Sequence, residues 1–238
     1  MKDSFRSSRR EFVMLVGALG TVCSCVTGAP PQPGGDRRPA NADQALRDLL
    51  AGNQRFTTGK TVAPRRSPEE FRALAQGQFP EAAIVSCADS RVAPEILFDV
   101  GVGDIFVVRV AGNVIGGVGV VQGSIEYAVA ELKVPLILVL GHSGCGAVKE
   151  AIQHIDDKHS LPGAINGLVE LIKPAVTASK GMPGDPLENA IRQNVAMGVK
   201  TLRELNPILA PRVKDGTLKV VGGTYNLANG AVNLMGKG

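Results

Sequence analysis

Ala82-Ala83-Ile84-Val85-Ser86-Cys87-Ala88-Asp89-Ser90-Arg91 is the stretch that decides how this chain reads. It opens on a small, apolar run without polar alternation, which suits a strand buried on both faces of a parallel sheet. The run ends in a cysteine, followed by a carboxylate and a guanidinium. A second apolar run, Leu136-Ile137-Leu138-Val139-Leu140, ends the same way in His142-Ser143-Gly144-Cys145. Two thiolates, one imidazole and the Asp89 carboxylate compose an N/S/O donor set suited to tetrahedral Zn²⁺. C-x-x-C knuckles are absent, so neither pair closes a zinc finger. Ligands carried on two separate strand ends predict a catalytic cleft rather than a structural staple.

Outward from these motifs the chain keeps a βα rhythm. Asn41 can cap a helix whose apolar positions Ala45, Leu46, Leu49 and Leu50 recur at helical spacing. A break at Pro64 to Pro68 precedes a second short helix, Glu69 to Ala75. After the first motif come a helix near Pro94 to Phe98, a strand at Ile105 to Arg109 and a glycine-rich loop from Gly112 to Gly123. A helix through Glu126 to Leu132 then leads to the second motif's strand. Ile165 to Val176 and Glu188 to Leu205 supply further helices. Leu218 to Val221, with Ala231 to Leu234 behind an Asn-Gly turn, reads as terminal strands. Ligands gather at the carboxyl ends of parallel strands, where Cys87 and His142 fall. Gly116-Gly117-Val118-Gly119 lacks G-x-G-x-x-G spacing, so dinucleotide binding is not indicated.

C-x-D-x-R followed by H-x-x-C resembles the metal signature of the β-class carbonic anhydrases. The likeness extends from about Ala42 to Leu234 and includes Leu50-Ala51-Gly52-Asn53-Gln54-Arg55-Phe56, Asp104 to Arg109, Ser124-Ile125-Glu126-Tyr127 and Val221-Gly222-Gly223-Thr224-Tyr225. It implies an α/β fold with a central, mostly parallel sheet flanked by helices. It implies zinc held by Cys87, His142 and Cys145, with water or Asp89 in the fourth position, and reversible hydration of CO₂ to bicarbonate through zinc-bound hydroxide. Asp89 and Arg91 would form a switch, Arg91 keeping the carboxylate off the metal. Because thiolates donate charge to the metal, activity is expected to rise towards alkaline pH.

Within the family the chain is similar to the plant-like subtype, whose substrate pocket matches Gln78, Phe106 and Tyr127, with Gly146 leaving room beside the last ligand. The subtype regulated by a second bicarbonate site carries a tryptophan three residues before the first zinc cysteine. Here that position is Ile84 and the chain has no tryptophan. Arg109 remains where that subtype also has an arginine, so its site is incomplete. The family implies a homodimer or a higher multiple, with sites built at the subunit interface and N-terminal helices reaching across. The zinc motifs alone leave open a CS₂ or COS hydrolase, or a non-catalytic zinc-binding protein. His154 and His159, the remaining histidines, read as solvated loop residues rather than proton relays.

The first 28 residues read as a leader. Arg9-Arg10 precedes a fifteen-residue apolar stretch, Phe12 to Val26, which is short for a bilayer span and right for a twin-arginine signal peptide. Residues 29–40 read as a linker and residues 41–238 as the catalytic domain. Export to the periplasm or beyond follows. Membrane attachment would need an uncleaved leader or lipidation at Cys25, where Val22-Cys23-Ser24-Cys25 loosely resembles a lipoprotein box. After cleavage only Cys87 and Cys145 remain, and bound metal would shield both from disulfide pairing. The net charge is +4, about half of it in the leader, and no basic run is interleaved with aromatics. Nucleic acid is not an expected partner.

Overall fold

The computed structural model describes residues 41–116, 119–157 and 161–236. The expected leader and linker, and His159, lie outside the described residues. Asn41 caps α1 (Ala42–Thr57) by accepting the Gln44 N–H at 2.9 Å, as its position predicts. The short helix expected next is divided into α2 (Pro68–Phe71) and a 3₁₀ turn over Arg72–Gln76. Glu70 opens it by accepting the Ser67 N–H at 2.9 Å.

The remaining elements are β1 (Ala82–Ser86), α3 (Pro94–Leu97), β2 (Ile105–Arg109), α4 (Val120–Ala130), β3 (Leu136–His142), α5 (Gly146–Asp157), α6 (Ile165–Ser179), α7 (Pro186–Glu204), α8 (Leu209–Lys214), β4 (Lys219–Tyr225) and β5 (Val232–Leu234). The five strands form one sheet in the order β2-β1-β3-β4-β5. Every pairing is parallel except β4 with β5. This is the mostly parallel α/β sheet expected from the apolar runs.

β1 and β3 are buried at every residue, and alternation sorts their side chains to two cores. Ala83, Val85, Ile137 and Val139 pack with Ile125 and Val129 of α4 and Val195, Val199 and Leu202 of α7. Ala82, Ile84, Leu136, Leu138 and Leu140 pack with Ala45 and Leu49 of α1 and Leu97 of α3. Ile84, the residue standing where a tryptophan would mark the bicarbonate-regulated subtype, is fully buried there. α1 comes close because residue 52 is glycine. A Cβ on Gly52 would lie 1.7 Å from the Phe98 carbonyl oxygen.

Three expectations are corrected. α4 begins at Val120, six residues before the expected Glu126, because Gly119 takes a left-handed φ of 54° and turns the chain directly into the helix. β2 is an edge strand and mostly half-buried, so covering of both faces holds for β1 and β3. His154 is not in a loop: it lies half-buried on α5, a helix the sequence reading did not identify. Among the described residues no helix is long and apolar enough to cross a membrane.

Candidate metal centre at the carboxyl ends of two strands

β1 and β3 are neighbours, and both end at the same edge of the sheet. That register brings Cys87, His142 and Cys145 together although they are distant in sequence. One ligand atom from each lies within 4.8 Å of the others, and all three residues are buried. A third core, built by Val148 and Ala151 of α5, Val169, Ile172 and Val176 of α6, and Ile191 of α7, encloses the two cysteines.

The imidazole is prepared as a ligand. Its Nδ1 lies 3.0 Å from the Ser143 carbonyl oxygen, which fixes the proton there. Nε2 is buried with no hydrogen-bond partner, so its lone pair faces the sulfurs unused. The loop that holds the ring is pinned on three sides. Ser143 N–H donates to the Tyr225 carbonyl at 2.9 Å. Ser143 Oγ accepts the Leu227 N–H at 3.0 Å, and Glu188 of α7 accepts the Gly144 N–H at 3.3 Å.

The two sulfurs lie within 4.8 Å of each other. The neighbouring Cys145 thiol foremost, with the backbone amides of Asp89 and Gly112, lowers the Cys87 thiol against the opposing effect of burial. The same interaction, with burial, holds the Cys145 thiol well above its ordinary value. The amides of Val148 and Ala147, in the first turn of α5, oppose that by favouring the Cys145 thiolate. A soft cation among these three atoms would meet two thiolates and an imidazole lone pair, the donor set of zinc. An orphaned ring nitrogen beside two sulfurs fits that ion directly.

Asp89 stands at the open side. Arg91 donates to it three times, from Nε to Oδ1 at 2.9 Å, from Nη2 to Oδ2 at 2.8 Å, and from its own N–H to Oδ1 at 3.0 Å. These bonds, Arg91's side chain foremost, hold the Asp89 carboxyl well below the usual carboxylate range. Asp89 Oδ2 is 3.9 Å from His142 Nε2. The carboxylate therefore sits beside the ligand cluster while both its oxygens are engaged by Arg91.

Of the expected pocket residues Gly146 adjoins the ligand Cys145, while Phe106 lies further down the sheet within this chain. Phe106 is level with Ala83 in the sheet, four residues before Cys87 and so on the order of 13 Å down the strand. It stacks at a tilt on Tyr127, ring centroids 6.2 Å apart, and Tyr127 is 48% exposed. Gln78 is exposed in the loop before β1. Gly146 begins α5, and a Cβ there would meet nothing within 4 Å, so no atom of its own chain contests that space.

Sequence reasoning missed a supporting residue pair. Gly112 donates its N–H to Cys87 Sγ at 3.2 Å and accepts from Asn194 Nδ2 at 2.7 Å through its carbonyl. Its φ of +69° favours glycine, and an added Cβ would lie 2.7 Å from Ile172 Cδ1 and press that side chain aside. A Gly-Asn pair directly after a strand was the available signal. Nothing local marks Asn194, which lies on a distant helix.

Comparison with known proteins accords with this geometry. The family profile described as carbonic anhydrase matches residues 82–232. A carbonic anhydrase of Mycolicibacterium smegmatis is 42% identical over 196 residues, covering 82% of this chain and 93% of the relative. Carbonic anhydrase 2 of Mycobacterium tuberculosis is 42% identical over 190 residues, covering 80% and 91%. The chain belongs to the β-class carbonic anhydrases. One of two tetrameric β-carbonic anhydrases from Sordaria macrospora shares its architecture, at 26% identity and a TM-score of 0.65 over 81% of this chain and 97% of the solved one. A Coccomyxa β-carbonic anhydrase in complex with acetazolamide does so at 28% identity and 0.62, covering 81% and 86%. The Cys87, His142 and Cys145 cluster is thus the candidate metal centre of a carbonic anhydrase.

Proposed function

We propose that this carbonic anhydrase reversibly hydrates CO₂ to bicarbonate at a zinc ion held by Cys87, His142 and Cys145. The observation that carries the reading is the unpartnered Nε2 of buried His142, which lies within 4.8 Å of two buried cysteine sulfurs. Zinc, when bound, would supply the acidification of a water from a pKa of 15.7 towards about 7. Asp89, oriented by Arg91, offers an acceptor at the edge of the cluster for that water's proton. Two thiolates make the cation less electron-poor than three imidazoles would, so activity should rise towards alkaline pH.

Gln78, Phe106 and Tyr127 are then the pocket that a second copy supplies. The exposure of Gln78 and Tyr127 supports this, as does the tetrameric state of the Sordaria relatives. This is also the plant-like arrangement, and the buried Ile84 in place of a tryptophan favours that subtype. The Arg9-Arg10 leader supports export of the folded, metal-loaded enzyme.

Stopped-flow CO₂ hydration by zinc-assayed protein tests the proposal, scanned from about pH 7 to about pH 9 to bracket water ionisation. Turnover proportional to bound zinc and rising with pH is expected. Full zinc occupancy without turnover at any pH would overturn it.

A further inference from the structure

The turn carrying Asp89 leaves the sheet almost at once. Val110 N–H donates to the Ser86 carbonyl and Ala88 N–H to the Val110 carbonyl, each at 3.1 Å, and these are the last rungs between β1 and the chain following β2. Arg91 orients the Asp89 carboxylate within the turn, but every bond between them is internal to that turn and does not anchor it to the sheet. If the turn rocks, the fork moves with it.

Arg109 is different. It is the last residue of β2 and is paired in register with Ser86. Its Nε donates to the Cys87 carbonyl at 3.1 Å and its Nη2 to the Asp89 carbonyl at 2.7 Å. One planar guanidinium thus spans the carbonyl of a metal ligand and that of the carboxylate residue two positions on. The Asp89 carbonyl also accepts the Val92 N–H at 3.0 Å, so the clamp meets the turn where it closes on itself. The anchor lies outside the turn, in a strand whose place is set by five paired positions with β1.

We propose that Arg109 is a positioning residue of this enzyme. It ties the Cys87–Arg91 turn to β2, and so keeps the forked Asp89 carboxylate at its 3.9 Å station beside His142 Nε2. The role needs arginine: a lysine keeps the charge but offers a single rotating ammonium, which cannot hold two carbonyls in one plane. It also gives Arg109 an occupation unrelated to a second bicarbonate site. The inference rests on the zinc-dependent activity proposed above.

The test uses the full, metal-loaded enzyme with Arg109→Met, Arg109→Lys and Arg109→Ala. Loss of an outer-shell orienting group lowers activity by about 10- to 100-fold. That loss is expected in kcat, with KM and zinc content kept, and with no rescue by lysine. Millimolar guanidinium, but not methylammonium, should restore the alanine variant. In the cobalt-substituted Arg109→Lys enzyme the visible absorption should shift as Asp89 changes its distance from the metal. Full activity in the methionine or lysine variant would overturn the proposal. So would an activity loss that follows the melting temperature, with no guanidinium rescue and an unchanged cobalt spectrum. A wild-type enzyme that binds no zinc or hydrates no CO₂ would overturn the functional reading instead.

Discussion

Two of the aspartates that pair with arginines, Asp99 and Asp89, do opposite work. Asp99 has no exposed side-chain surface. It accepts from Arg55 Nε of α1 at 2.6 Å, from the Val62 N–H at 2.9 Å and from the Ala63 N–H at 2.8 Å. Its partners come from residues far away in sequence, so the carboxylate staples α1 and the following loop to the end of α3. Asp89 takes all its Arg91 bonds from two residues away, and Arg91 is 57% exposed. Such a pair adds little to stability. What distinguishes Asp89 is what lies beyond it: a buried imidazole nitrogen without a partner. An Arg–Asp pair is structural where it closes long loops, and functional where one side faces unsatisfied chemistry.

The comparison can be broken by substitution. Asp99→Ala removes a buried acceptor from two backbone amides and Arg55, and should cost about 3 kcal/mol. Chemical denaturation would show it, while turnover per folded molecule should persist. The Asp99 carboxyl is also held below its ordinary value: burial works against this, but the Val62 and Ala63 amides and Arg55 prevail. That contribution is present above the unfolded value and is lost as pH falls below it. An acid-unfolding midpoint that Asp99→Ala leaves in place would contradict the staple.

Arg91→Ala should do the reverse. Zinc content and melting temperature should hold, while kcat falls by about 10- to 100-fold. Unchanged turnover would reduce the Asp89 fork to a surface ion pair.

Glu81 sharpens the contrast as a carboxylate without an arginine of its own. Burial first, then the charges of Asp104 and Asp48, push it up to about 7, and Arg65 only partly offsets them. Arg65 itself pairs with Asp104. A carboxyl whose folded value is raised stabilises the fold fully below its unfolded value and loses that contribution as pH rises through about 7. Glu81→Gln should therefore gain about 2 kcal/mol over the parent at about pH 8 and almost nothing below about pH 4. Equal gains at both values would refute the shift. The smallest effect belongs to Lys173→Ala, which breaks an exposed bond to Glu170 within α6, 2.5 Å long. It should cost less than about 0.5 kcal/mol.

By itself the sequence determined the sheet's central strands, because five- to seven-residue apolar runs have nowhere to go but a doubly covered position. It also determined the donor set, since cysteine and histidine at strand ends name their metal by softness alone. α5 was legible but missed: Val148, Ala151, Ile152 and Ile155 recur at helical spacing after Cys145, and that apolar stripe packs against α6. Only the tertiary structure decided that β1 and β3 lie side by side, since register depends on both cores closing together. The same packing brought Asn194 to the Gly112 carbonyl and Arg109 to the metal turn. Those contacts join side chains to backbone carbonyls, and a carbonyl carries no signature in sequence. Phe106 and Tyr127 show the complementary limit, for within one chain the two rings pack on each other, Phe106 level with Ala83 rather than with the strand ends.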